Sequence, residues 1–233
     1  MSYAELFCQS HFSFLQGASS PQELVQQAAE LGYSALALTD ECSVAGVVRA
    51  YRHIDEQQLA IKLIIGSYFR LDKLQLVLLC PDKQAYSELC RVITNARRRS
   101  SKGSYQLTEW DLMSIRHCLL LWLPDGDTDS DAHWASWLQK YHNGRLWLAM
   151  RRELSHNEAA FKAYCLQLAQ QYQLTLMCCG AVLMHTPERL ALQHFLKGSG
   201  GHFFRHRQIQ MPARGIKLAA MAKKFAFMFT VRR

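Results

Sequence analysis

Leu36-Ala37-Leu38-Thr39-Asp40-Glu41-Cys42-Ser43-Val44-Ala45-Gly46 decides how this chain is read. Ala35 to Leu38 is apolar without alternation, and polar residues appear at once at its carboxyl end. A strand that is apolar throughout is covered on both faces, as in a parallel sheet under helices. Upstream, Ser20-Pro21-Gln22-Glu23 opens a helix, with Ser20 as N-cap, Pro21 at the first helical position and Glu23 completing a capping box. Leu24, Val25, Ala28, Ala29 and Leu31 follow at helical spacing, and Gly32 stops the run. The first 46 residues therefore read as one β-α-β unit whose strand ends deliver polar side chains to one place.

The alternation continues. A helix is expected from about Val44 to Glu56, then apolar strands at Ile61–Ile65 and Leu74–Leu79 and a helix at Lys83–Arg98. Arg97 to Gly103 reads as a loop. Strands follow at Cys118–Leu123 and Arg145–Met150, then a helix at Asn157–Gln171 and a strand at Leu174–Cys179. Thr186-Pro187 starts another helix. Trp134 and Trp137, with Leu138, are expected to pack a helix. Strands alternating with helices imply an α/β architecture with parallel strands, either an open doubly wound sheet or a barrel. In both, chemistry gathers at the carboxyl ends of the strands. That edge would hold Asp40, Glu41, Gly66, Ser67 and the Gly180–His185 segment.

Composition narrows the classes. Of 233 residues 49 % are hydrophobic and 20 % charged, which fits a folded chain rather than a disordered one. No apolar run reaches membrane-spanning length, and Met1-Ser2-Tyr3-Ala4-Glu5 is not a secretory signal, so the cytoplasm is the expected compartment. Eight scattered cysteines form no C-x-x-C pair, and zinc-finger spacing is absent. Charge is divided unevenly. Residues 1–194 carry 18 Lys/Arg and 19 Asp/Glu, whereas residues 195–233 carry 9 Lys/Arg and no acid. The chain reads as a near-neutral domain with a basic end, and Ile216 to Phe229 as a short basic, aromatic helix.

Leu6-Phe7-Cys8-Gln9-Ser10-His11-Phe12-Ser13-Phe14-Leu15-Gln16-Gly17-Ala18-Ser19 resembles the first motif of the polymerase-and-histidinol-phosphatase (PHP) domain of C-family DNA polymerases. Glu30 to Asp40 resembles its second motif, and Glu41-Cys42-Ser43-Val44-Ala45-Gly46 is similar to the bacterial error-prone, DNA polymerase III α-subunit-like branch. Ile64-Ile65-Gly66-Ser67, Ala96-Arg97-Arg98-Arg99 with Lys102-Gly103, and Leu121-Trp122-Leu123-Pro124-Asp125 fit the same branch. Gly180-Ala181-Val182-Leu183-Met184-His185 looks like a late G-D-V-H-M-H motif. The resemblance covers residues 3–194, taken as the PHP domain, with 195–233 as an atypical basic tail. It implies a PHP-type (β/α) barrel, distorted and TIM-like, with parallel strands.

Active PHP domains hold a cluster of divalent metals, commonly zinc or manganese, on His, Asp and Glu, and hydrolyse phosphoesters. Such chemistry needs several ligands and an open position for water. By the resemblance, Phe7 and Gln9 stand at the H-x-H pair, Glu41 at a histidine, Tyr68 at a glutamate, and Ala181 and Leu183 at an Asp and a His. Asp40 and His185 remain as candidate metal ligands. No cofactor is expected, or a divalent Zn or Mn ion if the residual site is filled. Arg97, Arg98, Arg99 and Lys102 are candidate contacts to nucleic-acid phosphates, against the alternative of a solvated loop.

The resemblance implies a role in DNA synthesis past lesions, with DNA and other damage-induced translesion proteins as partners and no membrane. The chain ends before any palm, so the expected product is a truncated polymerase in which the basic tail is a frame-shifted read. The other account of the tail is a genuine nucleic-acid-binding extension. The leading function is a structural or binding module with an inactivated metal site; the competing one is a free-standing, metal-dependent phosphoesterase.

Overall fold

The structure, a computed structural model, describes residues 3–152 and 158–199. Strand β1 (Ala4–Cys8) leads to α1 (Pro21–Glu30), which begins as its capping box requires. The Ser20 hydroxyl accepts from Glu23 N at 3.2 Å, and the Glu23 carboxylate accepts from Ser20 N at 2.8 Å. β2 (Ala35–Leu38) and α2 (Val47–Glu56) follow, then β3 (Lys62–Leu71) and β4 (Leu74–Leu79). The middle of the chain forms α3 (Lys83–Arg98), the short α4 (Glu109–Met113), β5 (Leu119–Leu123) and α5 (Thr128–His142). β6 (Leu146–Arg151), α6 (Glu158–Gln171), β7 (Thr175–Cys179) and α7 (Leu190–Ser199) complete it.

The seven strands form one curled sheet in sequence order. β1, β2 and β3 pair in parallel, as do β5, β6 and β7. β4 departs from the expected all-parallel sheet, because it runs antiparallel to both β3 and β5. The cause is a tight hairpin. β3 continues six residues beyond the expected apolar run, to Leu71, and Asp72 turns the chain at φ +50. Asp is among the residues that enter this left-handed region most readily. No helix could fit in so short a connection, so β4 returns beside β3 with Arg70 opposite Gln75.

The sheet curls until its edges meet. Gln9 N donates to Val182 O, and Val182 N to Phe7 O, each at 2.9 Å, so β1 is joined to the segment after β7. Alternation then divides the side chains between two layers. Phe7, Ala37, Ile64, Tyr68, Leu121, Ala149 and Met177 pack inside the curl. Leu120, Trp122 and Leu148 point outward, packing beneath helical residues such as Leu89 and Leu138. Burying each such side chain stabilises the fold by roughly 1.5–3 kcal/mol. Trp134 belongs to this outer core and Trp137 packs partly buried against it, as expected for a helix face. All eight cysteines are free thiols.

No helix among the described residues is long and apolar enough to cross a membrane. α7 runs across position 194 without a break. The rest of the basic segment, 200–233, including the expected Ile216–Phe229 helix, lies outside the described residues.

Candidate functional site at the strand ends

Asp40 leaves the carboxyl end of β2 and is almost fully buried. Its Oδ1 accepts from Ser10 N at 2.7 Å and Ser13 Oγ at 2.8 Å, and Ser10 Oγ lies 3.0 and 2.9 Å from its two oxygens. Burial raises the Asp40 pKa above the usual carboxylate range, although these donors and nearby His11 pull it down. The two serines also hold the loop, since Ser10 Oγ accepts from Phe12 N and Ser13 Oγ from Glu41 N. Gly17 fits beneath this loop because a Cβ there would fall 2.1 Å from Ser10 O. Thr39 Oγ1 donates to Cys8 O and accepts from Cys8 N, both at 3.0 Å, fastening β2 to β1.

A second buried carboxylate closes the β1–β7 seam. Glu5 accepts from Phe7 N at 2.9 Å, Gly180 N at 3.0 Å and the Tyr3 hydroxyl at 2.8 Å. Burial raises its pKa against the pull of these donors. Gly180 allows the approach, because a Cβ would lie 2.6 Å from Glu5 Oε2. His185 sits just beyond, with Nδ1 2.7 Å from Ser19 Oγ, and that same oxygen accepts from His185 N at 3.0 Å.

The opposite arc, from β2 to β6, carries charge. Glu41 Oε1 accepts from Arg70 Nε at 3.0 Å and the Tyr105 hydroxyl at 2.9 Å, while Arg70 N donates to that hydroxyl oxygen at 2.9 Å. Tyr68 turns inward, and its hydroxyl donates to Gln75 Oε1 at 2.8 Å. Arg151 Nη1 donates to the same oxygen at 3.3 Å, and Gln75 Nε2 to Asp125 at 3.4 Å. Burial raises the Tyr68 phenol pKa, and the charges of Arg70, Glu41, Arg151 and Asp125 all act on it.

Arg97 and Arg98, expected in a loop, form the last turn of α3, and the basic stretch separates into two kinds of cation. Arg97 donates to the carbonyls of Glu41, Cys42 and Ser104 and lies over the Tyr105 ring at 5.6 Å. Arg99 forks onto both oxygens of Asp111, which Thr108 caps from the other side. Arg98 and Lys102 are exposed and have no partner among the described residues. The sequence pattern brings these four together; the structure leaves two of them, Arg98 and Lys102, without a partner among the described residues.

A model of the PHP domain matches residues 5–173. The chain belongs to the PHP domain family. An error-prone DNA polymerase of Vibrio vulnificus is 58 % identical over 197 residues, which are 84 % of this chain and 19 % of that protein. The error-prone DNA polymerase of Vibrio campbellii is 60 % identical over the same share of each chain. That of Teredinibacter turnerae is 44 % identical over 198 residues. The chain thus spans about a fifth of the length of these relatives, 19 %. Two solved structures share the fold. A Bifidobacterium adolescentis protein described as a metal-dependent phosphoesterase has a TM-score of 0.52 at 14 % identity, covering 78 % of this chain and 87 % of its own. A Chromobacterium violaceum amidohydrolase, determined with sulfate and no metal, has a TM-score of 0.52 at 13 % identity, covering 78 % and 88 %.

One solved structure of this fold is described as metal-dependent, and whether a metal fits this PHP domain is decided by its own residues. Phe7 and Tyr68 face each other with ring centroids 5.0 Å apart and both buried. Gln9 is buried with its amide nitrogen unpartnered, and an amide is a poor zinc ligand. Ala181 and Leu183 offer no donor side chain. The Asp40 oxygens are occupied by serine donors. Among the described residues no group of three or more His, Cys, Asp or Glu comes close enough together to hold a metal ion. These residues do not fit the metal cluster.

Arg70, Gln75, Tyr105, Arg151 and Glu5 were not singled out from sequence. Glu5 carries a readable signal, an acid inside the apolar strand Ala4–Cys8. Arg70 and Gln75 become neighbours only through the β3–β4 hairpin register, which the sequence pattern does not reveal.

Proposed function

We propose that this PHP domain is a non-catalytic structural and binding module of an error-prone, DNA polymerase III α-like protein. It would serve DNA replication and repair, in synthesis past lesions, in the cytoplasm, with DNA and other damage-induced translesion proteins as partners. The observation that carries the reading is the buried Phe7–Tyr68 ring pair, two residues that the resemblance sets at ligand positions and that offer apolar rings there. The kinship with error-prone polymerases, at up to 60 % identity over 84 % of the chain, supports the cellular role. Residues 3–194 form the proposed unit, and 195–233 a separate basic segment. Asp40 and His185 are then remnants of the ligand set, each hydrogen-bonded to serine. Arg98, at the end of α3, and Lys102 are the cations free to meet phosphates, while Arg97 and Arg99 hold the loop that follows.

The test is an assay for phosphoesterase activity on nucleotides and on DNA 3′ ends with Zn or Mn supplied. Rates equal to the buffer blank are expected. Turnover that disappears in Asp40→Ala would overturn the reading in favour of a metal-dependent phosphoesterase.

A further inference from the structure

A cluster of divalent metals does more for a barrel than chemistry. It draws acidic and polar side chains from several strand ends to one point, and its loss leaves those ends to repel or to splay. The strand ends of this domain are nonetheless tied around the whole ring. On the β1, β2 and β7 side, hydroxyls and backbone amides tie them. On the β2 to β6 side, two guanidinium groups sit among the polar groups of five strand ends or the turns that follow them.

We propose that Arg70 and Arg151 are resident cations of the barrel mouth, supplying permanently the positive charge that metal ions supply in metal-bearing members. The inference rests on the reading that no metal cluster occupies the mouth. Three features carry it. Arg70 shares a face of β3 with inward-packed Tyr68, two residues on, with about half of its side chain still open to solvent. Its carboxylate partner is Glu41, whose side chain is mostly buried and whose charge is met by a covalently attached cation. Arg151 reaches the network from β6 by sharing Gln75 Oε1 with Tyr68, linking the far side of the ring to the ring pair. Arginine suits the task because its charge persists at every physiological pH and its planar fork bonds several acceptors at once. A carboxylate left without such a partner at a partly buried position would be costly.

A double-mutant cycle on the full chain tests the inference, with thermal midpoints read for Glu41→Gln, Arg70→Met and the pair. Each single substitution is expected to lower Tm by about 2–4 °C, scaled for a chain of this size. The pair should fall well short of the sum, because the second change removes a partner already lost. Arg70→Lys, which keeps the charge, is expected to recover at least half of the loss, and this arm decides the matter if Arg70→Met does not fold. Strictly additive shifts, a Met variant as stable as wild type, or no recovery with lysine would overturn the inference while leaving the metal-free reading intact. Stoichiometric Zn or Mn in the purified protein would remove both.

Discussion

Asp40 and Glu41 are adjacent in sequence and do opposite things. Asp40 turns away from the mouth and is buried under serine hydroxyls, with Gly46 so close that an added Cβ would lie 3.0 Å from its carboxylate. Glu41 turns inward, joins β3 through Arg70 and marks the start of the charged arc. The serine arc consists of neutral donors around isolated buried acids, while the charged arc consists of compensated pairs. Strand ends of one barrel can thus be tied by two unlike sets of polar groups. One side of the ring is held by hydroxyls and backbone amides, and the other by a ring pair and guanidinium groups.

The largest effect should come from the point where the two arcs meet. Phe7→Ala removes a buried ring from its contact with Tyr68 and is expected to cost about 3–4 kcal/mol in urea denaturation. A cost under about 1 kcal/mol, the scale of ordinary surface changes, would mean the ring pair does not organise the mouth. Asp40→Ala strands three donors and should cost about 2–3 kcal/mol. If it is neutral, the serine arc is not the brace described.

The seam carboxylate gives a pH-dependent contrast. Burial holds the Glu5 pKa above its ordinary value, so the native state keeps this proton to higher pH than the unfolded chain does. Its stabilising contribution is therefore fully present below the unfolded value of about 4.3 and is lost as pH rises through the folded pKa. Glu5→Gln removes that dependence. The stability of wild type measured relative to the variant should fall as pH rises from about 4, and a difference constant with pH would contradict the burial argument. The smallest effect belongs to the basic loop. Arg98→Ala with Lys102→Ala should change stability by no more than about 0.5 kcal/mol, yet weaken DNA binding and flatten its salt dependence. Unchanged binding would reduce this loop to a solvated surface.

Much of the fold was legible in the sequence, and the reason is local. Ser20-Pro21-Gln22-Glu23 and the apolar strands carry their own instructions, and they sit in α1, β2, β4 to β7 within a residue or two of expectation. The antiparallel β4 was not legible, because the turn at Asp72-Lys73 lacks the glycine or asparagine that usually marks a hairpin. Half of the candidate site followed the same rule. Asp40 and its serines lie within short motifs, but Arg70, Gln75 and Arg151 meet only across strand registers. Thr108-Glu109-Trp110-Asp111 shows that even a local signal can be passed over, since it caps α4 as a capping box.

Bound metal is the quantity on which a metal-bearing and a metal-free mouth differ most. The full chain, expressed with zinc and manganese in the medium and desalted, is analysed for both metals, and its Tm is measured with and without EDTA. A mouth built on Phe7, Tyr68 and two arginines predicts well under one equivalent of metal per chain and the same Tm in both conditions. One equivalent or more, with a Tm that falls on chelation, would contradict it.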